Sequence, residues 1–160
     1  MTFVTVDSEN ARAAARRIHA GQFARSGEPL MEHVERVASA VPADVRAIAY
    51  LHDVLEWSNG AMEEVRELGL GETELTALAL LTRRSRETYK AYIMRIARAR
   101  GAPGTIARAI KMADLNDHLR QRRIERSPDY AWAREQIQAS QLADDEIRRS
   151  ARRAERRRVA

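Results

Sequence analysis

The sequence predicts an all-α protein that folds as one compact single-domain helical bundle. Apolar residues recur at spacings of three and four along most of the chain, which is the period of an amphipathic α-helix. No alternation typical of a strand and no hairpin motif interrupts that pattern. At 160 residues, the chain is long enough to bury a core without disulfide or metal cross-links.

Residues that favour helix ends divide the chain into successive helices. Asn or Ser before a helix, Pro in its first turn and Gly after its end are the markers. By these markers the helices run over about 8–21, 27–40, 42–58, 62–68, 72–82, 86–100 and 105–119, with a last long helix after Ser127-Pro128. Gly101, Pro103 and Gly104 are expected to separate the 86–100 helix from the next one.

The composition limits the kinds of site that the chain can form. It has no cysteine, so thiolate metal sites, disulfides and cysteine nucleophiles are excluded, and nitrogen and oxygen atoms must hold any metal. The N-terminal Met1–Ser8 segment lacks the basic and apolar regions of a signal peptide. No window reaches the roughly 20 apolar residues of a membrane span. We therefore expect a cytoplasmic protein without a membrane partner.

The formal net charge of +5 comes almost wholly from arginine, and much of it lies in the last segment, 147–159. Cations near a helix C-terminus are favoured by the helix dipole, so a solvated helix end explains this placement without a partner. Attraction to phosphate-bearing ligands or nucleic acid is the alternative. Aromatic residues are too sparse near the tail for a single-strand binder, and nucleic acid is not the expected partner.

A His-Asp doublet, His52-Asp53, lies inside the apolar run 50–56. Burial of an imidazole beside a carboxylate costs several kcal/mol unless another interaction compensates, and a bound divalent metal uses both groups. A buried hydrogen bond between a histidine and a carboxylate is the alternative. Glu56 lies one helical turn beyond the doublet, on the side that would face its ligand.

A second polar cluster is predicted on the 105–119 helix. Asp114, Asp117 and His118 share one helical face, with Lys111 one turn earlier, and His33 adds a candidate from the second helix. Polar groups on one side of otherwise apolar helices indicate a shared polar pocket.

Four ordered phrases in residues 10–120 resemble a known family. They are His19-Ala-Gly-Gln22 with Arg25-Ser-Gly-Glu-Pro29 and His33, then Ala49-Tyr-Leu-His-Asp-Val-Leu-Glu56, Leu81-Thr-Arg83, and Ile110-Lys-Met-Ala-Asp-Leu115. The order and spacing are similar to the HD superfamily of metal-dependent phosphohydrolases, in particular to the (p)ppGpp hydrolase domains of SpoT and Rel proteins. A lone His-Asp pair would be a weak signal, whereas four ordered phrases are specific.

The resemblance implies a set of metal ligands and a reaction. The ligands would be His33, His52, Asp53 and Asp114, a set of two nitrogen and two oxygen donors that suits Mn²⁺, with Mg²⁺, Fe²⁺, Co²⁺, Ni²⁺ or Zn²⁺ as alternatives. Glu56 matches the family glutamate that orients or deprotonates the attacking water. In the family the reaction removes the 3′-pyrophosphate of guanosine tetra- or pentaphosphate, so a nucleotide is the expected partner.

The resemblance also implies roles for other residues: Asp53 and Glu56 in catalysis, and Arg25 and Lys111 in substrate binding. Two further assignments are hypotheses that the resemblance does not supply, namely His118 in catalysis, as a ligand or acid, and Trp57 in substrate binding, by stacking on a base. The expected domain arrangement is an HD-type unit over residues 1–126, with 127–160 as a C-terminal helix and arginine-rich tail.

The chain departs from the family near the substrate. Trp57 stands where the family has Asp, Ala24 where it has Arg, Leu30 where it has Tyr, and His118 where it has Asn. Another nucleotide substrate, or a catalytically impaired module that binds a metal or nucleotide, is therefore the alternative function.

Overall fold

The computed structural model describes residues 6–58, 60–121 and 128–159, and the regular elements within them are helices. These residues contain one isolated β-bridge, between Phe23 and Pro29, and no strand. The helices are α1 (Ser8–Ile18), α2 (Leu30–Ser39), α3 (Arg46–Leu51), α4 (Val54–Trp57), α5 (Ala61–Glu67), α6 (Glu72–Leu81), α7 (Tyr89–Arg98), α8 (Gly101–Arg120) and α9 (Pro128–Val159). A 3-10 turn, Ala43–Val45, precedes α3. The all-α prediction is confirmed.

Several helix starts are stabilised by the residues that the sequence places there. The Asp7 carboxylate accepts a hydrogen bond from the Glu9 N–H at the start of α1, and the Thr88 hydroxyl accepts one from the Ala91 N–H at the start of α7. Such caps satisfy backbone donors that have no partner inside the helix. They explain why these helices begin where they do.

Helix α8 is central to the bundle. It packs against α2, α6, α7 and α9, while α3 packs against α1, α2 and α6. The buried apolar side chains of these helices form one continuous core. As a result α2, the end of α3 and the middle of α8 meet, and each brings polar side chains to the same place.

The prediction of one continuous helix over 42–58 is wrong. The chain forms the 3-10 turn, then α3, and turns at His52 and Asp53 before α4 begins. The Ala49 carbonyl accepts from both the His52 N–H, at 3.4 Å, and the His52 Nδ1, at 2.7 Å. In an uninterrupted α-helix that carbonyl would accept from Asp53 instead. The doublet therefore lies at a helix break.

The prediction that Gly101, Pro103 and Gly104 lie between two helices is also wrong. Helix α7 ends at Arg98, and these three residues form the first turn of α8, where a proline needs no backbone partner. A Cβ at Gly104 would collide with the backbone of Ala99. Glycine at this position therefore allows α8 to start directly against the end of α7.

Some predicted features lie outside the described residues. These are most of the N-terminal segment (Met1–Thr5), the helix end at Asn59, the helix start signal at Ser127 and the domain boundary between 126 and 127. Among the helices that are described, none is both long and apolar enough to span a membrane.

Candidate metal centre

A cleft of about 870 Å³ opens where α2, the α3–α4 break and α8 meet. Most of the residues assigned to the site from the sequence line it, namely Arg25, His33, Asp53, Glu56, Trp57, Lys111, Asp114 and His118. His52 is buried beside them, with 3% of its surface exposed. The structure therefore brings together side chains from four separate segments of the chain.

The His33 ring is oriented by a residue 84 positions away. Its Nδ1 lies 2.8 Å from Asp117 Oδ2, and because a carboxylate oxygen accepts, Nδ1 carries the proton of that hydrogen bond. Asp117 is itself held by Arg36, whose Nε donates to Asp117 Oδ1 at 2.7 Å and whose Nη2 donates to Oδ2 at 2.9 Å. The Nε2 atom of His33 is thereby aimed at the cluster.

The His52 ring is oriented by its own helix. Its Nδ1 donates to the Ala49 carbonyl at 2.7 Å, so the ring's other nitrogen, Nε2, carries the lone pair in the neutral form. This nitrogen and His33 Nε2 are both buried without a hydrogen-bond partner among the described residues. Leaving a buried polar atom unpaired costs roughly 1–3 kcal/mol, so two such atoms facing one place indicate a ligand-binding site.

The carboxylates of Asp114 and Asp53 complete the cluster. Ligand atoms of His33, His52 and Asp114 all lie within 4.8 Å of one another. His33 Nε2 is 3.2 Å from Asp114 Oδ1, in a geometry that does not form a hydrogen bond. The Asp53 carboxylate lies 3.9 Å from His33 Nε2 and 3.5 Å from His52 Nε2. Two imidazole nitrogens and carboxylate oxygens thus converge on one buried point.

The donor set fits a divalent metal ion. Imidazole nitrogen and carboxylate oxygen are ligands of first-row divalent ions, and a ligating histidine typically donates its other nitrogen to a carboxylate or backbone carbonyl. His33 does so to Asp117 and His52 does so to Ala49. The buried group of His33, His52 and Asp114 can therefore hold a divalent metal. Asp53 is close enough to join it.

The surrounding carboxylates change the protonation of this cluster. Burial acts to lower the pKa of His33, but the nearby negative charge of Asp114 and the hydrogen bond to Asp117 outweigh it and raise the pKa to about 10. Burial acts to raise the pKa of Asp114, yet the charge of Lys111 and contacts with His118 and His33 hold it well below the usual range. A proton and a metal ion therefore compete for His33 Nε2.

Lys111 and His118 both contact Asp114. Lys111 Nζ donates to Asp114 Oδ2 at 2.6 Å and lies 5.0 Å from the centre of the Tyr92 ring. His118 Nε2 lies 3.0 Å from Asp114 Oδ1, and its ring stacks on His33 at a centroid distance of 4.8 Å. Both side chains line the cleft, so they also face the space that a substrate would enter.

Glu56 lies at the mouth of the cleft on α4. Its Oε1 accepts a hydrogen bond from the Arg83 N–H at 2.5 Å. Desolvation raises the pKa of Glu56, and the negative charges of Asp53 and Asp114 add to that rise. A carboxylate with a raised pKa is a better proton acceptor than an ordinary surface glutamate.

The two remaining substrate candidates lie at the edge of the same cleft. Arg25 is exposed, and Trp57 has 42% of its surface exposed. The Gln22 side-chain amide donates to the Trp57 carbonyl at 3.3 Å and to Ser58 Oγ at 3.2 Å, which fixes the loop before α2 against the end of α4. The Trp57 ring is therefore available to a ligand.

Sequence reasoning missed the aromatic wall of the cleft. Tyr130, on α9, stacks on His118 at a centroid distance of 5.0 Å and an interplanar angle of 8°, and Tyr89 packs edge-on against Tyr130. The Tyr89 hydroxyl is buried without a partner among the described residues. The sequence placed Asp117 on the same helical face as Asp114, and the structure shows that its carboxylate accepts a hydrogen bond from His33 Nδ1. The spacing of Asp117 from Asp114 was the one sequence signal for this contact.

The chain matches no protein-family model and no curated protein.

Proposed function

We propose that the protein is a metal-dependent phosphohydrolase of the HD type that acts on a nucleotide. The observation that carries the proposal is the pair of buried, unpartnered Nε2 atoms of His33 and His52, which converge with Asp114 beside an open cleft. A guanosine 3′,5′-bis(diphosphate)-like compound is the leading substrate, because of the sequence resemblance. The proposed place of action is the cytoplasm.

Four side chains would hold the metal: His33, His52, Asp53 and Asp114. Two nitrogen and two oxygen donors favour Mn²⁺, with Mg²⁺, Fe²⁺, Co²⁺, Ni²⁺ and Zn²⁺ as alternatives. When bound, such an ion polarises a phosphoryl oxygen and lowers the pKa of water. The hydrogen bonds from His33 to Asp117 and from His52 to Ala49 keep both rings in the ligating orientation.

Glu56 is the proposed general base. Desolvation raises the pKa of Glu56, so it would accept a proton from the attacking water more readily than an ordinary glutamate, and the Arg83 N–H fixes one of its oxygens. His118, whose ring lies between those of His33 and Tyr130, would donate a proton to the oxygen that leaves when the P–O bond breaks. Asp53 contributes to catalysis as a ligand.

Cationic and aromatic groups around the cleft would bind the nucleotide. Arg25 and Lys111 carry positive charge to the cleft, and phosphate oxygens accept hydrogen bonds from both kinds of cation. Trp57 presents an exposed ring at the cleft edge, which suits stacking on a base.

A second candidate function is a binding module that holds a metal or nucleotide without turnover. Trp57 favours it, because this residue stands next to Glu56 where the resembling family has a second acid. The variant Trp57→Asp separates the two functions. If the parent releases no phosphate and the variant does, the module is the better description of the parent.

The deciding experiment is release of phosphate or pyrophosphate from a panel of nucleotides that includes ppGpp. It is run with Mn²⁺, then with excess chelator, on the parent chain, on Asp53→Ala and on Asp44→Ala. Asp44 is an exposed acid in the 3-10 turn and provides the matched control. Release that needs Mn²⁺ and Asp53, but not Asp44, supports the phosphohydrolase. No release from any nucleotide contradicts it.

A further inference from the structure

The whole formal net charge of the protein lies on one short segment of α9. Residues 146–158 contain seven of the 28 basic residues and two of the 23 acidic ones. The rest of the chain is therefore balanced, and this segment carries a net charge of +5. A charge so concentrated produces a strong local potential, which a charge spread over the surface does not.

This segment projects beyond the body of the protein. The earlier part of α9 packs through buried Ala133 and Ile137, through Ser140, whose hydroxyl donates to the Ala97 carbonyl, and through Asp144, which pairs with Arg108. Every residue from 146 to 158 is exposed. A helix of this length extends roughly 20 Å at 1.5 Å per residue.

Six of the seven arginines occupy one side of the projecting helix. At 3.6 residues per turn, Arg148, Arg149, Arg152, Arg153, Arg156 and Arg157 fall within about half of the circumference. The other half, which continues the side that packs on the body, carries Ile147, Ser150, Ala151, Ala154, Glu155 and the seventh arginine, Arg158. The basic side therefore faces away from the protein.

Few of these charges are neutralised within the protein. Among the described residues, Arg148 pairs with Asp145 at 2.7 Å, and no other arginine of the segment forms an ion pair. Helix-dipole stabilisation accounts for cations in the last turn of a helix, but its effect does not extend over three turns. A solvated helix end therefore explains the arginines at 156–158. It does not explain the four at 148, 149, 152 and 153.

We propose that residues 146–158 of α9 bind double-stranded DNA through its phosphate backbone. A helix 10–12 Å across fits the major groove of B-form DNA, which is about 12 Å wide, and guanidinium groups bind phosphate oxygens in pairs. Double-stranded RNA fits less well, because its major groove is deep and narrow. An anionic membrane fits less well, because Ile147 is the one large apolar residue in the segment.

The test is a binding titration of the full chain with a fluorescein-labelled 20-base-pair DNA duplex of arbitrary sequence, followed by fluorescence anisotropy. With about six phosphate contacts, affinity falls roughly 10³-fold between 50 and 200 mM NaCl, with a log–log slope of about −5. The same chain binds a matched RNA duplex and phosphatidylcholine–phosphatidylserine vesicles more weakly.

Three variants locate the contact. Changing Arg149, Arg152, Arg153 and Arg156 together to Gln reduces the slope to about −2 and weakens binding at least tenfold at 50 mM NaCl. Changing the same four to Lys keeps the slope, because Lys preserves the charge. The matched control changes four exposed arginines outside the segment to Gln, at positions 66, 86, 98 and 134, and keeps both affinity and slope. Circular dichroism verifies that each variant keeps its helical content.

Four results would overturn the proposal. They are the absence of DNA binding at 50 mM NaCl, equal weakening in the control variant, loss of binding in the Lys variant at unchanged helicity, and RNA or vesicle binding at least as tight as DNA binding. None of these outcomes depends on the phosphohydrolase activity, so the two proposals fail independently.

Discussion

Two charged clusters of this protein, the ion pair of Glu87 with Arg95 and the group around His33 and His52, differ in one decisive respect. All five N–H groups of Arg95 have acceptors, which are the Glu87 carboxylate and the carbonyls of residues 79, 80 and 82. The His33 and His52 Nε2 atoms have none within the described residues. The first cluster is complete without a ligand, whereas the second is not.

The difference separates a structural role from a binding role. A buried polar network with every donor paired stabilises one conformation and offers no atom to a ligand. A network with unpaired lone pairs loses stability, which a metal ion restores when it binds. Both clusters are charged and the metal cluster is the more deeply buried, but the unpaired atoms are what mark it as a binding site.

The largest effect is expected from removing one of the unpaired nitrogens. His52→Ala should abolish Mn²⁺ binding, measured by isothermal titration calorimetry, and the rise in melting temperature on adding metal. The parent should gain about 2.7 kcal/mol when free Mn²⁺ is a hundred times its Kd. Glu87→Gln, in the complete cluster, should keep that gain. A His52→Ala protein that still binds Mn²⁺ as tightly as the parent would refute the assignment.

Glu56→Gln should separate metal binding from turnover. The amide oxygen still accepts from the Arg83 N–H, but the side chain no longer takes a proton. We expect kcat to fall by about 10²–10⁴, with the Mn²⁺ affinity unchanged. The measurement is steady-state phosphate release beside calorimetry of the same sample. A variant as fast as the parent would remove Glu56 from the proposed mechanism.

Asp117→Asn should weaken the metal site without emptying it. The Asn oxygen can still accept from His33 Nδ1, but the negative charge that polarises the ring is lost, together with the oxygen that accepts from Arg36 Nε. Changes at residues that orient a ligand typically cost 10–100-fold in metal affinity. Calorimetric titration with Mn²⁺ tests this. An unchanged Kd would show that Asp117 only anchors Arg36.

The smallest effect is expected in the complete cluster. Glu87→Gln should lower the free energy of unfolding by about 1–2 kcal/mol at pH 7, measured with urea, because a charged hydrogen-bond partner is replaced by a neutral one. Arg95 lowers the pKa of Glu87 from an ordinary 4.5 to about 2. The parent's advantage should therefore be complete above pH 4.5 and disappear as the pH falls toward 2. A constant difference across that range would exclude the ion pair as its source.

Much of the fold follows from local sequence. The periodicity and the end signals predict the helices from Glu72 to Leu81 and from Pro128 onward to within a residue, because both depend on neighbours in the chain. The break at His52 has no such signal, since the run around it is uniformly apolar. Gly101 and Gly104 misled the prediction, because glycine serves both as a helix terminator and as a point of close helix approach.

The sequence predicted the histidines and carboxylates of the candidate site, but neither its tyrosine side chains nor the contacts that orient its histidines. The spacing of His52, Asp53 and Glu56 limited them to one side of the chain, and all three lie at the site. The hydrogen bond from His33 to Asp117 joins residues 84 positions apart, so no local pattern shows it. The stacking of Tyr130 on His118 likewise depends on how α9 returns across α8.

The helix break at His52 has a consequence for how the site assembles. His52 is oriented by Ala49, three residues away, so its ring can reach its final rotamer as soon as α3 forms. His33 reaches its own only when α2 and α8 have docked, since Asp117 is on α8. The orientation of His52 thus depends on a single turn of the chain, whereas the orientation of His33 depends on the tertiary structure. The affinity for a metal at this site would therefore report on the docking of α2 against α8, and a strained interface would weaken that affinity before it unfolds any helix.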